Sequence, residues 1–321
     1  MADRIPSGTR DVLPDEMREL RDLTERMRAV FDKAGYGEVY TPALEYERTF
    51  TRDGATPNGS YRLFDEDGNV LVLRADMTVP IARLVGNRYA TAELPLRFCY
   101  FAHAYRKVRP QRGQSREFLQ AGVELIGAPG PEGTAEALTV LCDGLEAVGL
   151  RRFRIGVGDQ ALYPELLDQL DVDADARQLL LTELAAGDFV GVEREVRRLK
   201  LQGAEAELLL TVPRMRGGVE ILDGLTGPLA HAGMGMRALL ELLPDRVAER
   251  VIFDFGLVRE LGYYTAAVFE VYDPAHGLPL GSGGRYDHLL GGFGRDLPAV
   301  GFALEVERVH IALAAEERER G

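Results

Sequence analysis

Apolar residues recur with a helical period over 15–35, where Met17, Leu20, Leu23, Met27, Val30, Phe31 and Ala34 define one face and Gly35 follows as a stop. One long amphipathic helix is predicted there. Residues 36–44 read as an edge or interface strand, since Pro42 cannot donate to a ladder. A hairpin is predicted over 61–73, its apolar arms flanking the turn residues Glu66, Asp67, Gly68 and Asn69, and a brief helix over 79–86 follows. Beyond it, Phe98, Tyr100, Phe101 and Tyr105 give way to Arg106, Lys107, Arg109 and Arg112, and then to an alternating run over 118–126. This is the pattern of two strands joined by a charged loop. A buried helix is predicted over 133–149 and a strand over 152–157. From 163 to 248 strand signals vanish and charged helical stretches take over, such as 192–210 and 234–242, which predicts a helical insertion. Strands resume at 251–255, 267–272 and 298–302, and a terminal helix over 305–315 leads into the charged tail 316–320.

Alternation over 118–126 places Phe118, Gln120, Gly122 and Glu124 on one face and Leu119, Ala121, Val123 and Leu125 on the other. An unpaired carboxylate is penalised in a core, so the first face reads as a polar pocket floor for a small ligand with a positive group. The adjacent guanidiniums suit a phosphate or carboxylate. A solvated hairpin with an arginine-rich tip accounts for the same pattern.

The chain has 321 residues, 46% of them hydrophobic, enough for one large domain or two ordinary ones. Its formal charge of −13 argues against passive binding to nucleic acid. Cys99 and Cys142 are the two cysteines, and the five histidines are scattered, so neither a disulfide framework nor a metal site is expected. No apolar run approaches the roughly 18 residues of a membrane span, and no signal peptide is expected. These features suit a cytoplasmic protein. The glycine run Gly281, Ser282, Gly283, Gly284 lacks the ending of a phosphate-binding P-loop and reads as a place of close backbone approach.

Four spaced segments carry a family resemblance: RPQRGQSREFLQAGVELIG, GLVRELGYYTAAVFEVY, GSGGRYDHLLGGFG and PAVGFALEVERV. They resemble the signature motifs of class II aminoacyl-tRNA synthetases in their histidyl form. The implied fold is α+β: a catalytic-core-like antiparallel sheet flanked by helices, with the helical insertion at 163–248 and without an anticodon-binding domain. The first helix and strand resemble the class II motif that builds a homodimer.

The resemblance also implies roles. Asp76, Thr78 and Gln120 would hold the ammonium of histidine, Glu124 and Tyr264 its imidazole, and Arg259 its carboxylate. Tyr263 and Tyr264 would point to opposite faces if extended, so one of them lines the pocket. Arg106 and Arg308 match the paired arginines that serve ATP, as a vestigial nucleotide or phosphate site. Val108 stands where the family has glutamate, Glu260 and Gly262 replace its Gly and Asp, and Glu305 replaces a glycine. A carboxylate facing a polyanion adds bulk and repulsion. The chain is similar to the non-catalytic synthetase paralogues that act as regulatory subunits of ATP phosphoribosyltransferase. That similarity implies a hetero-oligomer with a short catalytic subunit, histidine as ligand and feedback inhibitor, and no cofactor, metal, membrane or nucleic acid. A compact enzyme that makes histidyl adenylate, and a homodimeric module with a vestigial pocket, are the alternatives.

Overall fold

The structure, a computed structural model, describes residues 5–50, 60–108, 114–199, 201, 203–259 and 262–320. Helix α1 (Pro14–Lys33) forms where the period predicts it and buries Leu20, Leu23, Met27 and Phe31. It ends at Gly35, whose φ of +84° is open to glycine at little cost. The predicted strand over 36–44 is two short ones, β1 (Gly37–Glu38) and β2 (Leu44–Tyr46), which lie in different sheets. Helix α2 (Glu47–Phe50) follows, then the hairpin of β3 (Arg62–Phe64) and β4 (Val70–Leu73). Asp65 Oδ1 closes that hairpin by accepting from the backbone N–H groups of Asp67 (3.1 Å) and Asn69 (2.8 Å).

Helix α3 (Thr78–Arg88) leads into the long hairpin of β5 (Leu96–Tyr105) and β6 (Glu117–Ile126), then α4 (Glu132–Ala147) and β7 (Arg154–Asp159). Next come α5 (Leu162–Gln169), α6 (Ala174–Ala185), α7 (Phe189–Arg198), α8 (Ala204–Thr211), the short β8 (Arg216–Gly217), α9 (Pro228–Leu242) and α10 (Asp245–Ala248). The stretch 192–210 is thus two helices rather than one, with Gly203 at φ +60° immediately before the second. The chain returns through β9 (Val251–Asp254), β10 (Ala267–Tyr272), β11 (Gly281–Arg285), β12 (Ala299–Glu305) and α11 (Val306–Arg320). The glycine run is therefore a strand. Nor is the charged tail simply solvated: Glu316 is buried and accepts the backbone N–H groups of Arg151 and Arg152.

Among the described residues nine strands form one sheet in the order β1-β5-β6-β12-β11-β10-β7-β9-β8, and β2-β4-β3 form a second. The large sheet is mixed rather than purely antiparallel, because β1–β5 and β7–β9 pair in parallel. Its apolar face carries Val123, Leu125, Phe302, Leu304, Phe269 and Val157, packed with Phe31 of α1, Leu141 of α4 and Val309 of α11. Phe31 is completely buried, 5.8 Å from the Phe101 ring and 5.9 Å from that of Phe302. Replacing Phe31 by Ala should cost about 3–5 kcal/mol through lost contacts and the cavity left behind, read as a lower midpoint in chemical denaturation; an unchanged midpoint would contradict this core.

Candidate functional site

The other face of the large sheet is polar. Cross-strand partners in antiparallel pairing project to the same side, so the register assembles two rows. Phe98, Glu124, Gly301, Gly284 and Val268 form one; Tyr100, Gly122, Ala303, Ser282 and Glu270 form the next, with Gln120 beside Glu305 at the margin. Residues 120–124, 301–305 and 282–284 are far apart in sequence, and only the sheet order unites them. Two anchors hold the residues above this floor. Arg74 is buried and donates to the carbonyl oxygens of Thr41 (2.5 Å) and His103 (2.8 Å), fixing the turn that carries Asp76. Arg83 pairs with the buried Glu45 at 2.6 Å, fastening α3 and its Thr78 to β2.

Glu124 lies at the centre with 1% exposure, and Gln120 with 4%. The expectation that this face stays out of the interior is therefore wrong. Its stated cause, an unpaired buried carboxylate, is removed by two hydroxyls: Thr78 Oγ1 donates to Glu124 Oε1 at 2.8 Å, and Tyr286 Oη donates to Oε2. Burial pushes the Glu124 carboxyl up to about 8; these hydroxyls oppose the shift and the charge of Asp76 adds to it. A methyl group on Gly301 would overlap the Glu124 carboxylate, which explains glycine there. Asp76 accepts the backbone N–H of Val79 at 3.1 Å, and burial raises its pKa as well, against the pull of Val79 and Arg106.

Tyr263 lies in a turn and Tyr264 in the irregular stretch that follows it, so the strand alternation that would send one of them to the opposite face does not operate here. Their rings lie 4.8 Å apart, Tyr263 meets Tyr286 edge-on at 5.7 Å, and Tyr264 lies over Gly284, where a Cβ would come within 2.9 Å of its ring. Both tyrosines pack against the cluster of Met77, Ile81, Phe98, Tyr100 and Tyr286. Arg259 is already paired: it donates to Glu270, itself the acceptor for Tyr272 Oη, and to Ser282 Oγ at 3.0 Å. Its main chain is pinned by Gln160, which accepts from its N–H at 3.0 Å and donates to its carbonyl at 3.2 Å.

Arg106 and Arg308 converge on Glu305. Arg308 Nε is 2.7 Å from one carboxylate oxygen and Arg106 Nη1 is 3.7 Å from the other. Arg308 also donates to the Pro279 carbonyl at 2.6 Å, and Arg106 lies 4.5 Å above the Phe118 ring. Burial raises the Glu305 pKa, and the two guanidiniums oppose that shift. Next to it, Gln120 Oε1 is buried without a hydrogen-bond partner among the described residues. The structure thus brings together Asp76, Thr78, Gln120, Glu124, Arg259, Tyr263, Tyr264, Arg106 and Arg308, all on one side of one sheet. Arg109, Arg112 and Glu260 lie outside the described residues. Sequence reasoning missed Tyr286, two residues beyond the glycine run, and Glu270, which sits in the alternating run of β10; neither has a local sign of its partner.

Glu124 gives a pH signature. A carboxyl whose pKa rises from 4.5 in the unfolded chain to about 8 in the fold binds more protons when folded. Its contribution is complete below about 4.5 and is lost as pH rises toward 8, at a slope of about 1.4 kcal/mol per unit. Between pH 5 and 7.5 wild type should therefore lose stability relative to Glu124→Gln at that slope, measured by denaturant titration at several pH values. Parallel curves for the two proteins would show that Glu124 is ionised in the fold.

A family model described as Histidyl-tRNA synthetase matches residues 8–309. The ATP phosphoribosyltransferase regulatory subunit of Symbiobacterium thermophilum is 42% identical over 317 residues, covering 96% of this chain and 79% of that protein. An ATP phosphoribosyltransferase regulatory subunit/histidyl-tRNA synthetase from Bacillus halodurans shares the fold with a TM-score of 0.87 and 33% identity, over 97% of this chain and 84% of the other. A histidine–tRNA ligase subunit from Alicyclobacillus acidocaldarius does so with a TM-score of 0.82 and 31% identity, over 99% and 98%. With a matching model across most of its length and relatives this similar, the chain belongs to the histidyl-tRNA synthetase family, on the branch of the ATP phosphoribosyltransferase regulatory subunits.

Proposed function

We propose that this protein is a non-catalytic, histidine-binding regulatory subunit of an ATP phosphoribosyltransferase. In this reading it is a cytoplasmic homodimer that joins a short catalytic subunit, is required for that subunit's activity and mediates its inhibition by histidine. The observation that carries the non-catalytic part is the Glu305 carboxylate between Arg106 and Arg308. Forming an adenylate requires cations free to stabilise charge developing on phosphate. Here an internal carboxylate takes that position.

The amino-acid half keeps its acceptors. Asp76, Gln120 and Glu124 offer oxygens to an ammonium and a ring N–H, and the unpartnered Gln120 Oε1 is a buried acceptor in want of a donor. Thr78, expected to meet the ammonium, here serves Glu124. Arg259 would reach the ligand's carboxylate while still held by Glu270. A protein that binds histidine without activating it reports its concentration through different affinities in two conformations.

Histidine-dependent exchange of pyrophosphate into ATP tests the assignment. The purified protein should show exchange at background, although calorimetry detects histidine binding that Arg259→Ala weakens. Exchange well above background, abolished by Arg259→Ala, would make the protein an adenylate-forming enzyme. Light scattering at micromolar concentration should return the mass of a dimer in the absence of any partner; a monomer would remove the homodimer from this reading.

A further inference from the structure

Glu124 is 1% exposed, and among the described residues its hydrogen-bond partners are two neutral hydroxyls, Thr78 Oγ1 and Tyr286 Oη. No guanidinium, ammonium or imidazole of the described residues lies within ion-pair distance of it, whereas Glu270 and Glu305 on the same sheet face each have arginine partners. Among the described residues, titratable groups face it from several elements. Asp76 and Thr78 come from the start of α3, Tyr100 from β5, Tyr263 and Tyr264 from the turn before β10, and Tyr286 from the end of β11, while β12 presents only Gly301. None of these is cationic, and Asp76 is a second acid. Ionising a carboxyl here, without a cation, costs more than in water.

We propose that Glu124 holds a proton before the ligand binds and passes it to the ligand's imidazole, so that histidine is held as an imidazolium at a pH where the free ring is neutral. The inference rests on the histidine reading of this site. The step is a plain proton transfer: an O–H bond of Glu124 breaks, an N–H bond forms on the ring, and total charge is unchanged. The same surroundings that disfavour a lone carboxylate favour the resulting pair. The two hydroxyls stabilise the carboxylate, the charge of Asp76 attracts a second cation, and the rings of Tyr263, Tyr264 and Tyr286 offer aromatic surface to it. The upward shift of the Glu124 pKa to about 8 agrees, since it exceeds the value of about 6.5 for an unperturbed imidazole. Between those two values, binding then neither releases nor takes up a proton.

Two measurements on the wild-type protein test this without any variant. Calorimetric titration with histidine at pH 7.2, in buffers of different ionisation enthalpy, should give a net proton exchange near zero. Nitrogen NMR of ring-labelled histidine bound at pH 7.5 should show both ring nitrogens protonated. Uptake approaching one proton would mean that Glu124 is already ionised in the empty site, and release approaching one would mean that the ring binds neutral against an ionised Glu124; either overturns the proposal. Zero exchange with a neutral bound ring overturns it too, because the proton then stays on Glu124. If no heat of binding appears at all, the histidine reading fails and the proposal falls with it, an outcome distinct from binding with the wrong proton count.

Discussion

A carboxyl group in the middle of a β-sheet, beneath helices, has few ways to exist, and Glu124 uses several at once. Its oxygens lie over the backbone of Gly301, where a methyl group would collide with them, and both accept hydroxyl hydrogens from above. The hydroxyls in turn require their supports. Thr78 opens α3, which the Arg83–Glu45 pair fastens to the small sheet, and Tyr286 packs into the aromatic cluster under Tyr263. Much of the site's architecture follows from keeping one acid satisfied away from water. Gly301 on β12, Thr78 at the start of α3 and the Glu45 that anchors that helix through Arg83 are the parts of the fold tied to it.

Charge is distributed unequally over the same floor. Arg259 is paired with Glu270, and Arg106 and Arg308 share the single carboxylate of Glu305, so each of these guanidiniums already has an acid of the chain beside it. Asp76, Glu124 and Gln120 have no such cationic partner within ion-pair distance among the described residues. That asymmetry is what supports the proposed reading of a protein that recognises an amino acid without activating it, with Glu305 at its centre.

Much of this was legible in the sequence, for identifiable reasons. Helix α1, the β3–β4 hairpin and the β5–β6 pair follow from local periodicity and turn residues, and their boundaries agree closely with expectation. The polar identity of the 120–124 face was also readable. What was not readable is anything set by long-range register. Gln120 meets Glu305 because β12 pairs with β6 although most of the chain's second half lies between them, and alternation within one strand carries no trace of that. The rings of Tyr263 and Tyr264 meet because neither residue lies in a strand, so alternation does not separate them. Nor does the strand itself announce that Glu124 can be buried, because its hydroxyl partners, Thr78 and Tyr286, come from two distant segments.

In the proposed function the site around Glu124 both binds histidine and transmits its inhibition to a catalytic subunit. Linkage makes that claim quantitative, because a change in affinity at the feedback site must move the inhibition curve by the same factor. The direct measurement pairs calorimetry of histidine on Glu124→Gln with initial rates of the short-form transferase assembled with that variant. Charge-assisted hydrogen bonds contribute roughly 1.5–3 kcal/mol, so affinity should fall on the order of tenfold to a hundredfold. The account predicts an equal rise in the histidine concentration that half-inhibits the complex. Weakened binding with an unchanged inhibition constant would contradict it and place the feedback site elsewhere.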